Sequence, residues 1–216
     1  MNKRLVIFDL DGTLLNTIGD LAAATNAVMR AHGYPEHDLT AYRRFVGNGV
    51  SKLIERALPA ELRDPAHIKT LLQEFLVHYQ AHIDEQTEPY DGIPELLAEL
   101  TARKIATAVA SNKFHAGTVR LIARFFPEIP FIAVLGQREG IPIKPDPTVV
   151  QEILRKADLS TEAVLYVGDS GVDMQTARNA AVESVGVTWG FRSREELLEN
   201  GACHLVSHPA EIVSLL

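Results

Sequence analysis

The sequence predicts an α/β protein, a doubly wound (Rossmann-like) parallel sheet with an all-helical cap inserted into it. Two observations carry this. Short, nearly all-apolar, β-rich runs recur at 4–8, 105–110, 131–135, 164–167 and 184–187, with a weaker one near 203–206. Apart from the first, each interval between them holds one helical pattern, as βαβ units with a parallel sheet require.

The first run, ending at Phe8, is apolar throughout, as expected of a strand buried on both faces. It stops at the polar turn Asp9-Leu10-Asp11-Gly12-Thr13. The long interval from about Thr17 to about Glu88 shows only helical patterns. In one of them Ile68, Leu71, Leu72, Phe75, Leu76, Tyr79 and Ile83 fall at helix spacing. A crossover needs only about a dozen residues, so this interval is expected to hold a second unit. The boundaries read as an α/β core over 1–15 and 90–216 and a helical cap over 16–89. Helices are then expected at 93–103, 115–125, 148–157, 172–181, 194–199 and 209–215.

Composition limits the partners. Among 216 residues, 21 Lys and Arg face 28 Asp and Glu, a formal net charge of −7. That argues against nucleic acid or an anionic membrane as partner. No apolar stretch is long enough to cross a bilayer, and the opening residues lack the uninterrupted apolar core of a secretory signal. Cys203 is the only cysteine, so no intrachain disulfide is possible. A cytoplasmic location is the expectation.

Ligands of open α/β sheets gather at the carboxyl ends of the strands. There the sequence places Asp9 and Asp11 after the first run, Ser111 and Asn112 after the second, Lys144 before the helix that follows the third, and Asp169 and Asp173 after the fourth. Asp9 and Asp11 are two apart, which in extended chain turns both side chains one way. Gly12 permits the tight turn behind them. Close carboxylates repel unless one is protonated or a cation intervenes, and hard oxygen ligands suit Mg2+. Pro145 biases Lys144 toward extended backbone. The set has the chemistry of a phosphate and divalent-cation site.

Taken in order, Asp9-Leu10-Asp11-Gly12-Thr13, Ser111-Asn112, Lys144-Pro145 and Gly168-Asp169-Ser170 with Asp173 resemble the four motifs of the haloacid dehalogenase superfamily. The resemblance spans essentially the whole chain. It implies a phosphoric monoester hydrolase using Mg2+, with Asp9 as nucleophile forming an aspartyl-phosphate and Asp11 as the acid and base. Asp9, Asp169 and the Asp11 carbonyl would hold the metal, with Asp173 behind them. Ser111, Asn112 and nearby N–H groups would bind the phosphoryl oxygens, and Lys144 would neutralise charge.

Val46-Gly47-Asn48-Gly49 reads either as a helix–helix turn or as a loop whose N–H groups approach an anion. It is similar to the cap loop of phosphoglycolate phosphatases, as Thr188-Trp189-Gly190-Phe191 is to another segment of that subfamily. Gly47, Asn48 and Gly49 are therefore expected to face substrate, and 2-phosphoglycolate heads the small phosphorylated metabolites it implies. Arg43, Arg44 and Lys52 read as solvated charges. His78 and His82, four apart, lack a third zinc ligand, and Cys203 reads as a small core residue. A β-phosphoglucomutase-like enzyme shares Asp9, Asp11 and the cap. A dehalogenase would need neither Asp11 nor a metal, and a non-catalytic phosphate-binding module would not need every reactive group.

Overall fold

The structure is a computed structural model that describes residues 3–216. The chain divides into two compact units, one comprising 1–16 and 89–216, the other 17–88.

In chain order the elements are β1 Leu5–Phe8, β2 Leu15–Asn16, α1 Ile18–Ala31, α2 Leu39–Phe45, α3 Val50–Ala57, α4 Pro65–Ala81, β3 Glu88–Pro89, α5 Ile93–Ala102 and β4 Ala106–Phe114. There follow α6 His115–Phe125, β5 Ala133–Gln137, α7 Thr148–Ala157, β6 Val164–Gly168, α8 Gly171–Asn179, β7 Glu183–Val187, α9 Arg194–Glu199 and β8 His204–Val206. The six-stranded sheet has the order β5-β4-β1-β6-β7-β8. All its ladders are parallel. The short strands β2 and β3 pair with each other. The doubly wound class predicted from the sequence is the one observed.

The order explains where a site must form. From β1 the chain builds outward to β4 and β5, then crosses to β6 and builds the other way, so the strand order reverses beside β1. The crevice at the carboxyl ends of β4, β1 and β6 is the switch point of the sheet. All four residues of β1 are fully buried, as a central parallel strand covered on both faces requires. Leu5, Ile7, Ala108, Tyr166, Val150 and Ile153 belong to one core cluster that joins the sheet to α7.

Three local expectations are corrected. The second long strand does not stop before Ser111 but runs to Phe114, its register with β5 shifting between Ala110 and Phe114. Ser111, Asn112 and Lys113 therefore lie on the strand, where the irregularity re-aims their side chains at the rim. The last segment, Pro209–Leu215, is a 3-10 helix rather than an α-helix. Cys203 is exposed. It precedes β8, which among the described residues ends the strand order of the sheet.

The helical unit is closed by Asp20 at the start of α1. Its buried carboxylate accepts from the N–H groups of Gln86 and Thr87 and from the Thr87 hydroxyl, at 2.7–3.1 Å. No helix among the described residues is long and apolar enough to cross a membrane.

Candidate active site

The turn after β1 is built by one carbonyl. Leu10 O accepts from the N–H groups of Thr13, Leu14 and Leu15 at 3.3, 3.1 and 3.0 Å, and Gly12 N–H donates to Leu15 O at 2.9 Å. Gly12 sits at φ +91°, a conformation that glycine alone adopts without strain. Asp9 remains in the ladder, its N–H donating to Val167 O at 2.9 Å. Its carboxylate is thereby held at the switch point.

Lys144 is the hub of the site. Its buried ammonium donates to Asp9 Oδ1 at 2.7 Å, Asp173 Oδ1 at 2.8 Å, Ala110 O at 2.9 Å and Tyr166 OH at 3.1 Å. Its backbone is fixed by Asn112, whose Oδ1 accepts from Lys144 N–H at 2.8 Å while Nδ2 donates to Lys144 O at 3.1 Å. The Asn112 amide, expected to bind substrate, holds the Lys144 backbone through both its oxygen and its nitrogen. Ser111 is buried, and its Oγ accepts from Lys113 N–H at 3.1 Å.

Asp9, Asp169 and Asp173 present carboxylate oxygens all within 4.8 Å of one another. In Asp173 both oxygens already have partners. Oδ2 accepts from the Ser170 N–H and hydroxyl in a capping box at the start of α8, and Oδ1 accepts from Lys144 and Tyr166. That leaves Asp9 and Asp169 as the better-placed metal ligands, with Asp173 behind them. Asp169 Oδ2 accepts from Phe191 N–H at 2.7 Å.

Asp11 does not join this cluster. Its Oδ1 accepts from Lys113 Nζ at 2.9 Å, and the Lys113 side chain is only 1% exposed. The sequence reading passed over Lys113. The available signal was parity, because Lys113 follows Ser111 by two as Asp11 follows Asp9, the spacing that shares a face in extended chain. Tyr166 was also missed, since a tyrosine in an apolar strand reads as core.

The electrostatics ask for a cation. Burial pushes the Asp9 carboxyl up to about 7; Lys144 opposes this, while Asp173 and Asp11 reinforce it. Burial, Asp173 and Asp9 hold Asp169 well above the carboxylate range. For Lys144 burial acts downward, but Asp173 and Asp9 win and hold it well above the usual lysine value. When all three buried carboxylates are ionised, one ammonium leaves them two positive charges short, and in metal-free protein protons take up that charge. A divalent ion with a taste for oxygen makes up that deficit, so these residues fit Mg2+.

In the helical unit Gly47 and Gly49 have φ of +114° and +82°. Gly49 caps α3, and Asn48 Oδ1 accepts from Arg56 Nη2 at 2.8 Å. The loop is a turn braced from within its own unit. His78 and His82 have ring centroids 4.7 Å apart, and His82 Nδ1 bonds Glu85 Oε1 at 2.7 Å.

Residues 6–187 match the family model described as haloacid dehalogenase-like hydrolase. A phosphoglycolate phosphatase of Mesorhizobium japonicum is 36% identical over 196 residues, 90% of this chain and 86% of that one. An N-acetylmuramic acid 6-phosphate phosphatase of Pseudomonas aeruginosa is 33% identical over 227 residues, 100% of this chain and 96% of that one. Among solved structures, a candidate phosphoglycolate phosphatase from Lactobacillus delbrueckii subsp. bulgaricus superposes with TM-score 0.94 at 29% identity, covering 100% and 98% of the two chains. CbbY of Rhodobacter sphaeroides, in complex with phosphate, superposes with TM-score 0.80 at 25% identity, covering 97% and 96%. With four motifs converging on one rim of the sheet and a family match over most of its length, the chain belongs to the haloacid dehalogenase-like hydrolases.

Proposed function

We propose that this protein is a Mg2+-dependent phosphatase of small phosphate monoesters, with 2-phosphoglycolate the first candidate substrate. The observation that carries this is Asp9, a buried carboxylate gripped on one oxygen by Lys144 and clustered within 4.8 Å of carboxylate oxygens of Asp169 and Asp173. The named relatives point to the same chemistry.

In this reading Asp9 attacks phosphorus and the bond to the leaving oxygen breaks, while Asp11 gives that oxygen its proton. Asp11 then takes a proton from water, the resulting hydroxide attacks phosphorus, and Asp9 is released with inorganic phosphate. Lys144 balances negative charge on Asp9 and on the phosphoryl group, and Ser111 Oγ with nearby N–H groups holds the phosphoryl oxygens. Asp9, Asp169 and the Asp11 carbonyl would hold Mg2+, which when bound supplies charge neutralisation between two anions that must meet. The helical unit, residues 16–89, would be the cap, with Gly47, Asn48 and Gly49 as its substrate-facing loop, and residues 1–15 and 90–216 the catalytic core. The protein's partner is a small phosphorylated metabolite.

The full-length similarity to the Pseudomonas aeruginosa enzyme favours N-acetylmuramic acid 6-phosphate as a second candidate. Phosphate release from a panel holding both compounds, glucose 1- and 6-phosphate and p-nitrophenyl phosphate, with Mg2+ and with EDTA, tests the proposal. Turnover that survives exhaustive chelation sinks the metal role. Interconversion of the glucose phosphates without phosphate release would favour a mutase.

A further inference from the structure

The run Thr188-Trp189-Gly190-Phe191 follows β7 and supplies no reacting group, yet it is bonded to two parts of the acid site. Phe191 N–H donates to Asp169 Oδ2 at 2.7 Å. Trp189 Nε1 donates to the carbonyl of Thr13, in the turn that carries Asp9 and Asp11, at 3.0 Å. Behind these, Thr188 is anchored to the sheet edge, its N–H and hydroxyl both donating to Val206 O at 3.0 and 3.3 Å.

Steric fit points the same way. A methyl group at Gly190 would lie 2.3 Å from Asp169 Cβ, 2.5 Å from Asp169 Oδ2 and 2.5 Å from Gly12 O. One at Gly12 would lie 2.3 Å from Asp169 Oδ2 and 2.9 Å from the Phe191 ring. Gly12 also needs its positive φ, but Gly190 does not sit in that region. The requirement for glycine at 190 is therefore one of space alone. The Asp169 carboxylate lies between two glycines, with a backbone N–H on one oxygen.

We infer that residues 188–191 form a clamp that orients Asp169, and that Trp189 and Gly190 are positioning residues that set Mg2+ affinity. The inference rests on the reading of the acid cluster as a Mg2+ site. A ligand whose plane is already fixed loses no freedom when the ion arrives, and groups that orient metal ligands typically carry large shares of affinity. The Trp189 bond ties the same segment to the turn that carries Asp9 and Asp11, so one segment holds both turns that must meet around the ion. Were the segment mere packing, its loss would lower stability and leave ion affinity alone.

Calorimetric titration of Mg2+ into wild type, Trp189→Phe and Gly190→Ala, without substrate, separates these cases. Gly190→Ala is expected to bind Mg2+ on the order of 10–100-fold more weakly. Trp189→Phe keeps an aromatic ring but loses the N–H that bonds Thr13 O, an expected weakening of about three- to ten-fold. In both, saturating Mg2+ should restore most of kcat. Should Gly190→Ala fail to fold, Trp189→Phe alone decides. Variants that bind Mg2+ with the wild-type constant, losing only melting temperature, overturn the clamp while the metal site stands. A wild type that binds no Mg2+ overturns the metal reading and the clamp with it.

Discussion

Lys144 Nζ and Asp9 Oδ1 lie 2.7 Å apart, although the two residues are separated by 135 positions in the chain. The same ammonium reaches Asp173 at 2.8 Å, so one lysine neutralises two buried acids. Lys144→Met should therefore do two things. Catalysis should fall by about 10²–10³-fold, the scale seen when one charge-stabilising group is lost. Stability should fall by about 3 kcal/mol in metal-free protein, since two buried carboxylates lose their partner, and Mg2+ should recover part of it. Thermal melts with and without Mg2+, beside kcat, check both. A variant of wild-type activity would remove Lys144 from the mechanism.

Asp9→Asn preserves shape and removes the charge needed to attack phosphorus. Turnover should drop by on the order of 10⁴ or more, as expected when a nucleophile is removed. Rapid quench with labelled substrate should find label on the wild-type protein and none on the variant. More than about a tenth of normal activity in Asp9→Asn would refute its assignment as nucleophile.

Asp11→Asn should discriminate between substrates. An alkoxide leaves poorly unless protonated, whereas p-nitrophenolate needs little help. Hydrolysis of alkyl phosphates should slow severely, while p-nitrophenyl phosphate should still phosphorylate the protein and leave the phosphoenzyme slow to break down. Equal slowing of both substrates in the first step would argue against acid catalysis by Asp11.

The acid cluster also gives metal-free protein a distinctive pH response. Burial leads in pushing the Asp9 carboxyl up to about 7, whereas an unfolded aspartate titrates near about 3.9. Between those values the folded state binds more protons than the unfolded one, so this contribution to stability is fully present at low pH and lost as pH rises through about 7. Asp169, also raised, acts with the same sign. Melting temperatures in chelator should therefore be lower at about pH 8 than at about pH 6, with a smaller difference in Asp9→Asn. Mg2+ should stabilise more at the higher pH. An identical pH dependence in wild type and Asp9→Asn would show that Asp9 is not the titrating group.

Much of the fold could be read along the chain because each signal was local. The apolar runs at 4–8 and 164–167 lie within one residue of β1 and β6, since a strand covered on both faces has no polar positions to blur its ends. The run at 105–110 was cut short because Ser111, Asn112 and Lys113 are polar, yet they continue β4 to Phe114 with buried side chains. A polar residue marks a strand end only where the rim faces water, and here it faces a site. Cys203 erred in the opposite direction, because a small apolar side chain says nothing about whether the strand it adjoins is central or at the edge.

The sequence by itself determined the doubly wound class and the placing of Asp9, Lys144, Asp169 and Asp173 after its strands, because alternation of short-range patterns and a few residue types encode both. Only the tertiary structure decided who partners whom. Lys144 between Asp9 and Asp173, Lys113 on Asp11, Asn112 turned to the Lys144 backbone and Phe191 N–H on Asp169 each join residues from different strands or loops. Such contacts depend on strand order, the register shift in β4 and the space left by Gly12 and Gly190, none of which is a property of neighbouring residues. Charge and hydrogen bonding act over a few ångströms in space, and the chain brings those ångströms together only when it folds.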